Sequence, residues 1–265
     1  MILGIDTSLG TSVALIDADG VIRAQVSSAD PLAHAEVIGT LLQQVIDDPE
    51  VRRGVSRASG DAFFASSTSG SDTARTSGSD SREASVSGNG RNSGSGSGVR
   101  EQITHVAAGM GPGPFTGLRI GIAAARAFAL GRGIPVIPVV SHDAIALERL
   151  LHDVLTDAPD AEPGRFAVAT DARRREFAYS VYDGIGDDGL PIRVAGPQLA
   201  HRDALDAVLA AEGAERVDAH AVSAAMIALV AARALAAGRV VGPADALYLR
   251  SPDVVPPAPP KKVSA

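Results

Sequence analysis

Apolar and polar positions alternate in short runs at the start of the chain, and then the period changes. Residues 1–7 form an apolar run broken by Asp6, and residues 12–18 place Val13, Leu15 and Asp17 on one face. Residues 21–28 follow an Asp19-Gly20 pair, the strongest short signal for a two-residue hairpin turn. These runs are predicted as three consecutive antiparallel strands. Over residues 34–47 the spacing switches to three and four. Val37, Ile38, Leu41, Leu42, Val45 and Ile46 then form one stripe of an amphipathic helix. A strand pattern returns at 103–108, a helical one at 115–131, and a strand again at 134–140.

The resulting order, βββαβαβ, is that of a ribonuclease-H-like lobe. The second half echoes it in degenerate form. A helix is predicted over 144–155, and a strand over 166–170 runs into Asp171. In the next strand, 176–183, Phe177, Tyr179 and Val181 alternate with Ala178, Ser180 and Tyr182. A further strand over 190–195 and helices over 202–211 and 220–237 complete it. The division expected is a first lobe from 1–57 and 99–140, and a second, degenerate lobe from 141–250.

Composition interrupts this pattern twice. Residues 66–98 are almost entirely Ser, Gly, Thr, Asp, Arg and Asn. Such a segment buries too little apolar surface to offset its ordering entropy, so 58–98 is predicted as a disordered insertion. Residues 251–265 are Pro-rich with Lys261 and Lys262, and read as an extended tail.

The rest of the chain is apolar enough for real cores, the whole being 45% apolar. A net charge of −7 gives no reason to expect broad capture of nucleic acid. With no cysteine, disulfides, thiolate metal sites and a Cys nucleophile are excluded. The first residues lack a basic region, so no secretory leader is expected, and no apolar run is long enough for a membrane span. A cytoplasmic location is the expectation.

The chemistry concentrates in two places. Residues 109–129 contain alternating Gly111, Pro112, Gly113 and Pro114, then a thin helix with Leu118, Ile122, Ala125 and Ala129 at helical spacing. A Gly-rich turn at a helix N-terminus binds phosphate or lets a helix pack closely on a sheet, and both readings stand. It is not a P-loop, because Leu118 and Arg119 follow Gly117 where Lys and Ser/Thr belong. The dinucleotide fingerprint counted from Gly111 fails at Thr116. The second place is the turn after the first strand, where Asp6, Thr7, Ser8 and Thr11 could meet a nucleotide's phosphates, or form an ordinary polar hairpin.

The remaining polar clusters read more plainly. Asp171-Ala-Arg-Arg-Arg-Glu176 could clamp phosphate or RNA backbone. The simpler reading, preferred here, pairs its arginines with Asp171 and Glu176 at the surface. His105 sits in an apolar strand and reads as a core residue; His152, His201 and His220 fall on helices or caps.

These residues carry a resemblance. The Asp6–Ser12 hairpin, the Gly111-Pro-Gly-Pro-Phe-Thr-Gly-Leu-Arg119 run, Asp171-Ala-Arg173 with Glu176, and Tyr248-Leu-Arg250 resemble the TsaB family, also called YeaZ. His34-Ala35-Glu36 is similar to that family's His-Ser-Glu. Pro114 departs from the family's usual Ser and removes one N–H. The resemblance implies an α/β fold of two ribonuclease-H-like lobes in the actin-like ATPase and sugar kinase superfamily. It implies a non-catalytic partner subunit of the tRNA threonylcarbamoyladenosine machinery, paired with catalytic TsaD and joined by the ATPase TsaE. It also implies a homodimer where TsaD is absent, and contact with tRNA only through the complex. The partner-binding residues would lie on the first lobe's helices: Val37, Leu41, Leu42, Val45, Leu118, Ile122, Ala125 and Ala129. No cofactor of its own is expected, ATP and metal being held by the partners. TsaD carries a His-x-x-x-His metal motif where this chain has His142 followed four residues on by Ala146, so no metal site and no catalytic residue are expected. The competing reading is an ATPase or small-molecule kinase of the same superfamily, resting on the Asp6 hairpin with Gly111 and Gly113.

Overall fold

The computed structural model describes residues 1–30, 33–48, 103–156 and 164–250. The predicted insertion and tail lie outside them. β1 (Ile2–Asp6), β2 (Thr11–Ile16) and β3 (Ile22–Ser28) form an antiparallel meander, followed by α1 (His34–Asp47). β4 (His105–Gly109), α2 (Phe115–Arg132) and β5 (Val136–Val139) add two parallel strands. The first sheet therefore runs β3-β2-β1-β4-β5. α3 (Ser141–Leu155) leads to β6 (Phe166–Asp171), β7 (Glu176–Ile185) and β8 (Pro191–His201). α4 (Leu205–Ala211), β9 (Glu215–Asp218) and α5 (Ala224–Ala236) come after them. The second sheet runs β8-β7-β6-β9, the first sheet's order without a fifth strand.

The layers follow from the strand faces. Leu3, Ile5, Val13 and Leu15 point to one side of the first sheet and pack with Leu41, Val45, Leu118 and Ala125 of α1 and α2. Ile2, Ala14, Ile16 and Ala107 point to the other side, into a core shared with α3, α5 and Phe166, Val168 and Tyr182 of the second sheet. The second sheet's outer face, Ala167, Ala169 and Val181, closes on Leu205 and Leu209 of α4. One central helical layer thus serves both sheets.

α5 explains why. It has no charged residue before Arg233, and eight of its side chains are buried, as expected of a helix packed on several sides. Small residues let it approach β1 closely: a Cβ on Gly4 would stand 2.1 Å from the carbonyl oxygen of Ala224. The helix predicted over 220–237 in the second half therefore packs mainly against β1, β2 and β4 of the first sheet.

Two elements correct the sequence reading. β9 was not predicted, being four residues with exposed ends and a half-buried middle. β8 extends to His201 rather than stopping near Ala195, because Gly196-Pro197 falls where its register against β7 shifts, on an edge strand that tolerates proline.

Candidate functional site

The Gly-rich turn and the first hairpin close directly on each other. Asp6, at the end of β1, is 1% exposed. Its Oδ1 accepts the Ser8 N–H at 2.7 Å, and its Oδ2 accepts the Ser141 hydroxyl at 2.6 Å and the Ser8 hydroxyl at 3.1 Å. Ser141 also accepts the Gly111 N–H at 3.1 Å. Burial raises the Asp6 carboxyl above its usual range, opposed by the Ser141 and Ser8 hydrogen bonds and the charge of His34. Thr7 Oγ1 donates to the Gly117 carbonyl at 2.8 Å, and Thr11 Oγ1 lies 2.8 Å from His34 Nδ1 at the start of α1.

Glycine is required for this closure. A Cβ on Gly109 would stand 1.8 Å from Asp6 Oδ2, and one on Gly121 would stand 2.1 Å from Thr7 Oγ1. A Cβ on Gly113 would stand 2.8 Å from Ser8 Cα. The structure therefore brings Asp6, Thr7, Ser8, Thr11, Gly111 and Gly113 together, but their polar atoms face one another. The side-chain groups of Asp6, Thr7, Ser8 and Thr11 and the Gly111 N–H are bonded within the chain.

The partner-binding set behaves similarly. Val45, Leu118 and Ala125 are fully buried, and Leu41, Ile122 and Ala129 nearly so, all against the chain's own first sheet. Val37 and Leu42 are partly buried on the same core. The stripe is thus the helices' inner face. Their outer faces include Gly39, Thr40, Ala123, Ala127 and Leu130, the last 85% exposed, beside polar Gln43, Gln44 and Arg126.

A second polar cluster joins the central layer to the second sheet. His142 is fully buried, with Nδ1 2.9 Å from Ser180 Oγ and Nε2 3.0 Å from Thr170 Oγ1. Burial holds the ring neutral, pushing its pKa down to about 3. Asp143 accepts the Tyr182 hydroxyl at 2.8 Å and lies 3.4 Å from Arg193 Nε; burial raises its pKa to about 6. It lines a cavity of about 540 Å³ with Arg193, Asp188 and Arg239. Both His142 nitrogens have hydroxyl partners, and no three His, Asp or Glu side chains converge among the described residues. The place of the TsaD metal motif does not fit a metal ion.

The third cluster corrects one expectation. Asp171 lies 3.6 Å from Arg202 and accepts the Arg173 N–H at 2.9 Å, while Glu176 pairs with Arg250. The acids of this hairpin therefore pair with arginines from later in the chain. Arg173, Arg174 and Arg175 are exposed and share φ values of 63°, 52° and 63°. His105 is half-buried rather than in the core, 3.0 Å from Thr104 Oγ1. Ser141 was missed: one serine after a strand carries no signal until the fold sets it against Asp6.

Comparison with known proteins now places the chain. The family model for TsaD, tRNA N6-adenosine threonylcarbamoyltransferase, matches residues 96–235, more than half of the 265 residues. The chain belongs to this family. An uncharacterized protein of Mycobacterium tuberculosis is 37% identical over 162 residues, 57% of this chain and 66% of that protein. One of Mycobacterium bovis matches equally, so the chain spans just under two thirds of the length of these two relatives. A Mycobacterium leprae protein is 41% identical over 99 residues, 37% of this chain and 22% of its own. The fold is that of YeaZ: YeaZ from Pseudomonas aeruginosa superposes with a TM-score of 0.58 at 19% identity, covering 94% of this chain and 99% of that one. Another Pseudomonas aeruginosa structure, an uncharacterized protein similar to peptidase YeaZ, gives 0.59. The two sheets are those of the actin-like, ribonuclease-H-like fold. Among the described residues no helix is long and apolar enough to cross a membrane.

Proposed function

We propose that this chain is a non-catalytic partner subunit of the tRNA N6-threonylcarbamoyladenosine machinery. It binds the catalytic subunit TsaD and supports it together with the ATPase TsaE, which hold the metal and ATP. One observation carries this reading within the TsaD family. The hairpin and Gly-rich turn that would grip a nucleotide are closed on each other through Asp6, Ser8, Ser141 and Gly111. The outer faces of α1 and α2, with Gly39, Ala123, Ala127 and Leu130, form the partner surface; a homodimer uses it when TsaD is absent. Small residues there let a second pair of helices approach closely. Compartment follows function, in the cytoplasm with the tRNA.

The test is co-purification with the same organism's TsaD, followed by size-exclusion chromatography. The wild-type chain is expected to elute with TsaD. Leu130→Asp and Gly39→Arg alter only exposed positions and are expected to abolish co-elution without lowering the melting temperature. Absence of a complex with a folded wild-type chain would refute the reading.

A further inference from the structure

One end of the molecule carries an exposed strip that neither the closed hairpin nor the outer helix faces account for. It begins at the N-terminus of α2. The Phe115 and Tyr248 rings lie 4.5 Å apart, tilted by 41°, and are 37% and 39% exposed. The Arg119 guanidinium sits 3.7 Å from the Phe115 ring centroid, and its Nε lies 3.4 Å from the Tyr248 hydroxyl. Two residues beyond Tyr248, Arg250 pairs with Glu176 and donates to the Arg173 carbonyl at 3.2 Å. The Cα span from Tyr248 to Arg250 is at most about 7 Å, so one short segment ties the aromatic pair to the arginine hairpin. On the hairpin's other side, the Arg202 N–H donates to the Arg175 carbonyl at 2.7 Å, and its guanidinium lies 5.0 Å from the Phe177 ring.

The backbone here is fixed against its preference. Three consecutive non-glycine residues in the left-handed region cost about 1 to 2 kcal/mol each. They are held by Arg250 and Arg202 on the two sides, and the exposed Asp171 contact adds little. Backbone held at such a cost is found chiefly where a site needs it. Its effect is to present Arg173, Arg174 and Arg175 to solvent at one end of a chain whose net charge is −7.

We infer that this strip, from Arg119, Phe115 and Tyr248 to the Arg173–Arg175 hairpin, binds a single-stranded loop of tRNA. Each half supplies what such a loop needs. Exposed rings with a guanidinium beside them stack unpaired bases, and a basic run tracks the phosphates. An acidic protein would use the arginines and leave the rings without a role. The inference rests on the tRNA-modification reading for its choice of RNA, but not on the TsaD interface. It replaces contact with tRNA only through the partners by a direct contact from this chain.

The experiment is fluorescence anisotropy of a labelled anticodon stem-loop RNA with the full chain, alone and with TsaD, across a salt series. Phe115→Ala with Tyr248→Ala is expected to weaken binding by roughly 5- to 100-fold at unchanged salt slope. Arg173→Ala with Arg175→Ala is expected to weaken it and to reduce the salt slope by about 1.4. Phe115→Tyr keeps a stacking ring and is expected to bind like wild type, which guards against a misfolded alanine variant. Affinities unchanged within about two-fold in both double variants would overturn the inference, as would no RNA binding with or without TsaD. Competition by polyglutamate as strong as by tRNA would also overturn it, in favour of an acidic protein partner. Leu130→Asp separates the two proposals: it should remove TsaD and leave the chain's own RNA binding intact.

Discussion

β1 and β6 hold the same place in their sheets. Each pairs antiparallel with the next strand on one side and parallel with a later strand on the other, and each ends in an aspartate. Asp6 is sealed: its two oxygens take a backbone N–H and two hydroxyls, and α2 covers the turn after it. The Asp171 side chain is 58% exposed, and the turn after it projects three arginines. The difference comes from the elements attached to each sheet. The first sheet continues through a glycine turn and a thin helix, which allow close approach. β9 runs on to α5, which packs on the other sheet, so among the described residues no helix covers Asp171 as α2 covers the first turn. The same strand-end position yields a structural lock in one repeat and a surface in the other.

The comparison breaks most sharply at Gly109. An alanine there would force its Cβ into Asp6 Oδ2 and stand 3.0 Å from Ser141 Oγ. Gly109→Ala is expected to lower unfolding free energy by about 3 kcal/mol or more, since it overpacks the turn and breaks the network together. Chemical denaturation measures it. A loss below about 1 kcal/mol would mean that the lock is not closed. Asp6→Ala is expected to cost somewhat less, about 2 to 3 kcal/mol, because it leaves the Ser8 N–H and buried hydroxyls without their acceptor.

A smaller effect lies in the second buried cluster, where two neighbours oppose each other. Asp143 has its pKa raised from 3.8 to about 6, so the folded chain takes up a proton before the unfolded chain does as pH falls. Its contribution is present at low pH and lost as pH rises through about 6. His142 has its pKa lowered from 6.5 to about 3, so its contribution is present above 6.5 and lost as pH falls. Between pH 7 and pH 5 Asp143 adds about 1 kcal/mol and His142 removes about 2. Asp143→Asn is therefore expected to make stability fall more steeply over this range than in wild type. His142→Gln is expected to make it fall less or rise. Parallel curves for all three proteins would show that neither group is buried as described.

How much of this could be read in advance varies by element. The stripe Val37–Ile46 set α1 at its observed bounds, and alternation fixed β7 from Glu176 onward, because one buried face imposes its period directly. The stripe could not say which layer it would meet. Leu41, Val45, Leu118 and Ala125 look the same whether they face their own sheet or a partner, and the fold puts them on their own sheet. The glycines of the turn announced a close approach but not its object. Asp6 meets Ser141 across 135 positions, a pairing that only the assembled sheet creates. α5 showed itself as an apolar helix, while its place against the first sheet depended on Gly4 and Ala224 meeting.

The smallest effect belongs to Asp171, and it sharpens the contrast most. Its ion pair with Arg202 spans 3.6 Å between side chains 52% and 58% exposed. Such pairs contribute about 0 to 1 kcal/mol, because water screens the charges and two long side chains lose freedom. The contact to the Arg173 N–H adds little, since that N–H stands at the surface and finds water when the carboxylate is removed. Asp171→Ala is expected to change unfolding free energy by less than about 1 kcal/mol, against at least twice that for Asp6→Ala. Removing the carboxylate also removes a negative charge beside the arginine hairpin. The same variant should therefore hold stem-loop RNA as tightly as wild type or more so. A loss of stability matching Asp6→Ala would mean that the second turn is locked like the first, and that the arginines serve the fold rather than a partner.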